Sequence, residues 1–319
     1  VSATGDALDE FDRLAREQGL APFVREQVAL GPMTTYRVGG PAARLVVVDD
    51  DAQMRAVLHA VLGSGIAVLV VGRGSNLLVA DAGFGGLALQ LGSRFAEVEV
   101  LPSPDPEGAT VRAGAAALLP VVARRTVAAG LTGFEWAVGV PGSIGGAVRM
   151  NAGGHGSDMA ASLVRVRVAD LRLGEDGEVS PSALALGYRT SALAPHQVVL
   201  RADLRLAPGD QRASEAELAE IVRWRRDHQP GGQNAGSVFT NPPGDSAGRL
   251  VEAAGCKGLR IGTAEVSTKH ANFIQADPSG SADDVRRLMS EVQRRVEAAT
   301  GITLHPETCL VGFDGEPAT

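Results

Sequence analysis

Lysine is almost missing from this chain: among 30 basic residues in a length of 319, only Lys257 and Lys269 are lysines. With so much alanine and glycine, that bias reads as genomic base composition rather than as function. Cysteine is equally scarce. Cys256 and Cys309 stand far apart without a partner motif, which argues against a disulfide scaffold or a thiolate zinc site and fits a reducing compartment. Runs of like charge are absent too, and the net charge of −7 is spread over interspersed signs. That argues against a nucleic-acid or anionic-membrane surface. The longest apolar stretch, "IAVLVV" at 66–71, is too short to span a bilayer. The acidic start, "VSATGDALDEFDRLAREQG", lacks the layout of a signal peptide. No His, Asp or Glu pair has metal-ligand spacing, so no metal is expected. What remains is a soluble, cytoplasmic globular protein, 45% hydrophobic and 21% charged, with no obligate protein partner expected. Its length calls for two or three domains.

What the chain does have is glycine in two concentrated places. "WAVGVPGSIGGAVRMNAGGHG" (136–156) holds seven glycines and one full charge, Arg149. Such density costs chain entropy on folding, and a segment this bare suits a ligand lying almost against the backbone. The other place is "VVGRGSNLLVA", with Gly72, Gly74, Ser75 and Asn76 directly after a strand-like run. It is not a Rossmann fingerprint: Leu77 replaces the third glycine, and the following "LLVADAGFGGLALQL" has no helical period. Two readings stay open for it, an ordinary hairpin corner or a nest of backbone N–H groups that takes phosphate oxygens. Two bare loops together suit a long ligand with a diphosphate and a flat ring, a dinucleotide such as FAD.

The periodicities predict a β-α-β unit from a strand at 43–50, a helix at 50–65 and a strand at 66–72. Short apolar runs follow ("LLVA", "GLALQL", "AEVEVL", "TVRAGA"), separated by Gly- or Pro-rich turns, and read as a mostly β region. A helix is expected at 118–131, then the long glycine-rich segment as a loop. "SLVRVRVADLRLGEDGEV" reads as a hairpin turning at "GEDGE", and "HQVVLRADLRLAPGD" as a strand. Helices are expected at 214–228, 246–254 and 281–300, the last capped by Ser281 with Asp284 standing in for the usual Glu of a capping box. "IGTAEVS", "NFIQAD" and "GITLHPETCLVGF" read as strands. The expected division is 1–78, 79–210 and 211–300, with the final strand in 301–319 returning to the first part.

"TTYRVGGPA", "VGRGSNLLV", "GFEWAVGVPGSIGGAVRMNAG", "GYRTS", "AGSVFTNP", "KHANFI" and "LHPETCLVG" occur in this order. In that order they resemble the UDP-N-acetylenolpyruvoylglucosamine reductase family, in its shorter subclass, from about residue 28 to about 312. The resemblance implies an α+β protein: a two-domain FAD-binding fold of the vanillyl-alcohol-oxidase type, with a third α+β domain for the substrate. It implies noncovalent FAD, reduced by NADPH, and a UDP-sugar enolpyruvyl ether as substrate. It places the cofactor at Gly72, Arg73, Gly74, Ser75, Asn76 and Leu77, and at Pro141, Gly142, Ser143, Gly145, Gly146 and Asn151. Two departures stand out. His228 and Thr240 occupy positions where many relatives carry lysine, which removes positive charge from the sugar-nucleotide mouth.

Reducing an enolpyruvyl ether needs a cation for the charge that develops on the carboxylate side and an acid for the α-carbon. A preorganised electrostatic group of this kind is worth roughly 3–4 kcal/mol. Arg189 in "GYRTS" suits the first demand through its planar, permanently charged fork. Ser237 suits the second, because after Gly236 the backbone can turn sharply and present the hydroxyl. The resemblance gives Glu307 a place beside the enolpyruvyl group. If it donates a hydrogen bond it must be protonated, which burial favours. Tyr188, Asn241 and Lys269 are the expected substrate contacts; His270 reads as structural, and His155 lies near the expected ring. Two further readings are another oxidoreductase of the same flavin fold and a flavin-binding regulator without turnover.

Overall fold

The computed structural model describes residues 3–101 and 108–313. The Pro-rich turn expected over 102–107 and the last six residues of the 301–319 segment lie outside them. The chain forms two compact units. One comprises 1–25, 44–73 and 86–225, the other 26–43, 74–85 and 226–319.

The first unit has two main sheets, besides a two-stranded ribbon of Gly153–Gly154 and Ser157–Asp158. In the smaller, Phe84–Leu91 lies between Pro41–Val48 and Val68–Val70, and it runs parallel to the latter with Val68 opposite Leu87. The expected β-α-β elements are present, but this third strand separates the two that flank the helix. The helix is Asp51–Ser64. Asp50 caps its start by accepting from Gln53 N at 2.8 Å. Gly65, at φ 63°, ends it in the left-handed conformation that glycine adopts without strain. Met54, Val57, Leu58 and Val61 recur at helical spacing and are buried with Phe11, Leu14, Leu87 and Leu89. Phe11 and Leu14 come from a helix over Ala3–Glu17, which the sequence reading did not assign.

The larger sheet is antiparallel, in the order Glu175–Val179, Leu163–Asp170, Gln197–Pro208, Ala109–Gly114, Val98–Leu101. The expected hairpin forms, but its turn comes earlier than "GEDGE". Asp170 accepts from Arg172 N at 2.9 Å and Leu173 N at 3.0 Å. That Asx turn reverses the chain before Gly174 and leaves "EDGEV" as the return strand. The glycine-rich segment is more ordered than a loop: it holds a 3-10 turn over Glu135–Gly139 and a short helix over Ile144–Arg149.

The second unit has a three-stranded antiparallel sheet of Arg260–Ile261, Ala264–Val266 and Ile274–Ala276, so "IGTAEVS" is a tight hairpin rather than one strand. The helices Ala247–Ala253 and Ala282–Thr300 share its core with Leu78, Val238, Phe239 and Leu310. Ser281 caps the long helix by accepting from Asp284 N at 3.2 Å. The return half of a capping box is not made, because the Asp284 carboxylate accepts from Thr263 N and Thr263 Oγ1 instead, at 2.7 and 2.9 Å. Of "GITLHPETCLVGF" only Cys309–Val311 is strand, pairing in parallel with Leu77–Val79. Pro306, which has no N–H to donate, makes only an isolated bridge to Phe239. Among the described residues no helix is long and apolar enough to cross a membrane.

Glu135 opens the glycine-rich segment and is buried. It accepts from Thr132 Oγ1 (2.7 Å), Gly133 N (2.8 Å) and Ser214 Oγ (2.6 Å), which ties the segment to the helix Gln211–His228. Burial works against its charge, but the hydrogen bonds from Ser214, Thr132 and the backbone prevail and hold the carboxyl below its ordinary value of 4.5. A carboxyl depressed in the folded state stabilises above its ordinary range, and that contribution fades as pH falls through the folded pKa. Glu135→Ala should cost about 3 kcal/mol at neutral pH. The gap to wild type in chemical denaturation should narrow below about pH 4.

Candidate active site

In the first unit the two glycine signals meet. A Cβ on Gly72 would lie 2.9 Å from Ser143 Oγ, so the end of the Val68–Val70 run sits against the start of the short helix. The surrounding backbone is spoken for: Ile144 N donates to Ala117 O at 2.9 Å, Gly145 N to Ala115 O at 2.8 Å, and Gly142 O accepts from Leu119 N at 3.0 Å. Gly145 is required by packing, because a Cβ there would press on Ala115 Cβ at 3.0 Å. Gly146 differs. Nothing but Ser143 Oγ, at 3.8 Å, comes near a Cβ built on it, so its outer face is open backbone. Trp136 in the same segment buries an indole N–H that finds no acceptor among the described residues. Bare backbone at Gly72 and Gly146, a buried serine hydroxyl between them and a spare donor suit a polyoxygenated, flat cofactor such as FAD.

Asn151 braces the chain around the glycine-rich segment. Its Nδ2 donates to Gly187 O (2.9 Å) and Asp158 Oδ2 (3.1 Å), and its Oδ1 accepts from Ala160 N (2.9 Å). The side chain is buried and holds three segments together. Arg149, the one charge of the stretch, donates to Leu193 O (3.3 Å), Ala194 O (3.1 Å) and Gln197 O, while its own carbonyl accepts from Ser191 Oγ at 2.6 Å. Between these anchors Gly187 and Thr190 close a tight turn. Tyr188 and Arg189 stand at its tip. Arg189 has φ +57°, a left-handed conformation rare for a side-chain-bearing residue, and its guanidinium lies 5.5 Å from the Tyr188 ring centroid. One donor reaches Gly153 O at 2.9 Å, which ties the arginine back to the glycine-rich segment. Strain held in place by surrounding bonds is the pattern of a functional turn.

In the second unit Ser237, Glu307 and the Gly74–Asn76 turn come together. Glu307 N donates to Val238 O at 2.8 Å, and Thr240 N to His305 O at 3.0 Å, so "SVFT" and "HPET" run side by side. Asn76 Nδ2 donates to Glu307 O at 2.9 Å, and Cys309 N returns a bond to Asn76 O at 2.9 Å. Gly74 has φ +64°, and any Cβ on it would strike Met33 O at 2.2 Å; only glycine fits. Gly236, φ +77°, supplies the sharp turn before Ser237.

Asn272, in "KHANFI", braces this group. Its Oδ1 accepts from Phe239 N (3.0 Å), its Nδ2 donates to Phe239 O (2.9 Å), and its carbonyl accepts from Val238 N (2.9 Å). Sequence reasoning quoted the motif without singling out this residue; the available signal was one amide among apolar neighbours, a buried polar group that must find partners. Asn241 caps the next helix by accepting from Ala247 N at 3.0 Å, and Lys269 Nζ donates to Arg226 O at 2.6 Å. His270 is structural: its Nδ1 accepts from Asn272 N at 3.2 Å and its ring meets Phe273 edge-on. No cluster of three or more His, Cys, Asp or Glu suited to a metal occurs among the described residues.

Asn151→Ala would remove the buried side chain that serves Ala160 N, Gly187 O and Asp158 and should lower stability by about 2 kcal/mol. In a steady-state assay it should reduce turnover more than cofactor content, since it releases the turn bearing Arg189. Equal loss of both would contradict the separate duties assigned to the two segments.

The comparisons with known proteins agree with this layout. Residues 42–179, which include both glycine signals, match the model of a FAD binding domain. Residues 228–311, which include Ser237, Asn241, Lys269 and Glu307, match that of the UDP-N-acetylenolpyruvoylglucosamine reductase C-terminal domain. A UDP-N-acetylenolpyruvoylglucosamine reductase from Rubrobacter xylanophilus is 40% identical, over 92% of this chain and 97% of its own length. One from Paramagnetospirillum magneticum is 42% identical, over 96% of each. The solved structure of the Thermus caldophilus enzyme is 36% identical and covers 91% of this chain and all of its own, with a TM-score of 0.76. The FAD-binding match, the C-terminal match and this coverage leave one assignment: the chain is a flavin-dependent oxidoreductase belonging to the UDP-N-acetylenolpyruvoylglucosamine reductase family.

Proposed function

We propose that this protein reduces UDP-N-acetylglucosamine enolpyruvate to UDP-N-acetylmuramate with electrons from NADPH, a cytoplasmic step in making the peptidoglycan precursor that bacterial cell shape and division require. Bound FAD supplies the hydride for the terminal carbon of the enolpyruvyl group. The chain's own work is then electrostatic and protic. Arg189 holds the substrate carboxylate and offsets the charge that develops there. Ser237 gives its proton to the α-carbon, and Glu307 stabilises the enolate beside it. Tyr188, Asn241 and Lys269 contact the sugar nucleotide.

The observation that carries this reading is the bracing of the polar groups. In the second unit Ser237 and Glu307 are fixed on neighbouring backbone by Val238 O and Asn272. In the first unit Arg189 is held in a strained turn by Asn151 and Gly153. An Arg–Ser–Glu set suits protonation of an enolate, which disfavours an alcohol or sugar oxidase. A regulator without turnover would have no use for segments held so firmly.

The test is a purified holoprotein, its flavin absorbance and its NADPH consumption with and without the enolpyruvyl substrate. NADPH loss that depends on substrate, without oxygen uptake, is the expected result. Yellow but inert protein would sink the proposal. Ser237→Ala should lower kcat by about two to four powers of ten with unchanged flavin content. Arg189→Lys should cost about two to three powers of ten, because an ammonium cannot reproduce the fork.

A further inference from the structure

We propose that Arg225, His155 and Trp224 of the first unit form a phosphate subsite for a nucleotide ligand. The three side chains come from the two ends of one neighbourhood. His155 belongs to the glycine-rich segment, and the others to the helix Gln211–His228. Arg225 and His155 converge on a single residue, Gly139, and Trp224 packs on the His155 ring. A Cβ on Gly139 would meet Ile221 Cγ2 at 3.0 Å, Arg225 Cδ at 3.1 Å and His155 Nε2 at 3.5 Å. The arginine stem therefore lies on bare backbone. The imidazole of His155 and the indole of Trp224 meet edge to face, centroids 5.3 Å apart at 89°, and Trp224 remains 43% exposed.

Three observations point to an anionic visitor. First, Arg225 is half-buried, yet no hydrogen bond or ion pair reaches it among the described residues. Want of acids does not explain this, because the chain has 37 acidic residues against 30 basic ones. A partly desolvated guanidinium without a counter-charge is costly, and an arriving phosphate would repay the cost through two parallel N–H···O bonds. Second, His155 sits at φ +52° between two glycines, Gly154 and Gly156, above which a Cβ would meet nothing within 4 Å. A histidine held in that conformation beside open space is placed there by the surrounding fold. Third, burial, then the Arg225 charge, push the His155 imidazole below its usual pKa. An anion between the two would relieve that repulsion. The exposed indole supplies an apolar surface beside the pair for the flat part of a nucleotide.

The assignment rests on the proposed function only for the ligand's identity, a diphosphate or a phosphate monoester on a nucleotide. The test uses the FAD-loaded protein and direct binding, separate from turnover. The probes are inorganic pyrophosphate, UDP, NADP⁺ and NAD⁺, titrated against wild type, Arg225→Met and Arg225→Lys. Arg225→Met keeps the stem on Gly139 and should weaken pyrophosphate at least tenfold, with Arg225→Lys between it and wild type. Its melting temperature should equal or exceed that of wild type, since it removes an uncompensated charge. Weaker UDP binding assigns the subsite to a diphosphate; loss of the NADP⁺ over NAD⁺ preference assigns it to a 2′-phosphate. Changes under twofold for pyrophosphate, UDP and NADP⁺ together would overturn the subsite, as would a fall in melting temperature with unchanged binding. Wild type that binds these probes but never reduces the enolpyruvyl substrate would instead overturn the proposed function and leave the subsite standing.

Discussion

Polar side chains that satisfy backbone carry this structure. Arg149, Asn151 and Asn272 each serve two or three main-chain groups on segments that no regular ladder reaches. A buried carbonyl or amide left alone costs more than a typical hydrogen bond contributes. These three residues therefore decide where the irregular parts of the chain lie. Around Arg149 and Asn151 the turn with Tyr188 and Arg189 is drawn to the glycine-rich segment. Around Asn272 the segments bearing Ser237 and Glu307 are held side by side.

Glycine has two distinct uses here, and they are separable by what a methyl group would meet. At Gly74 and Gly145 the neighbour is protein, and the missing side chain allows two pieces of backbone to touch. At Gly146, Gly154 and Gly156 the neighbour is space or a single hydroxyl. The first use belongs to folding and the second leaves surface for a ligand. One quoted stretch of sequence contains both, which is why its composition alone could not say which residue does what.

Much of the architecture was legible. The helices at 51–64, 119–128, 211–228 and 282–300 follow from apolar spacing and end signals, and the two glycine segments were marked as a pair before the structure placed Gly72 on Ser143. What escaped was the partner that each polar side chain takes. The turn before Gly174 was set by the Asp170 carboxylate, not by the more glycine-rich "GEDGE". The capping-box acid Asp284 was taken by Thr263, far from it in sequence. Asn151 was expected against the cofactor, and the three bonds its side chain makes to the chain itself could not be read from local pattern.

The chain passes between the two units at 25/26, 43/44, 73/74, 85/86 and 225/226. Residues 26–43 and 74–85 therefore emerge from the ribosome well before the stretch that completes their unit. The parallel partner of Leu77–Val79 is Cys309–Val311, far later in the chain. Until it arrives, a hydrophobic strand edge waits unpaired on the nascent polypeptide. The second unit therefore cannot be obtained by expressing the C-terminal stretch alone, since 26–43 and 74–85 belong to it.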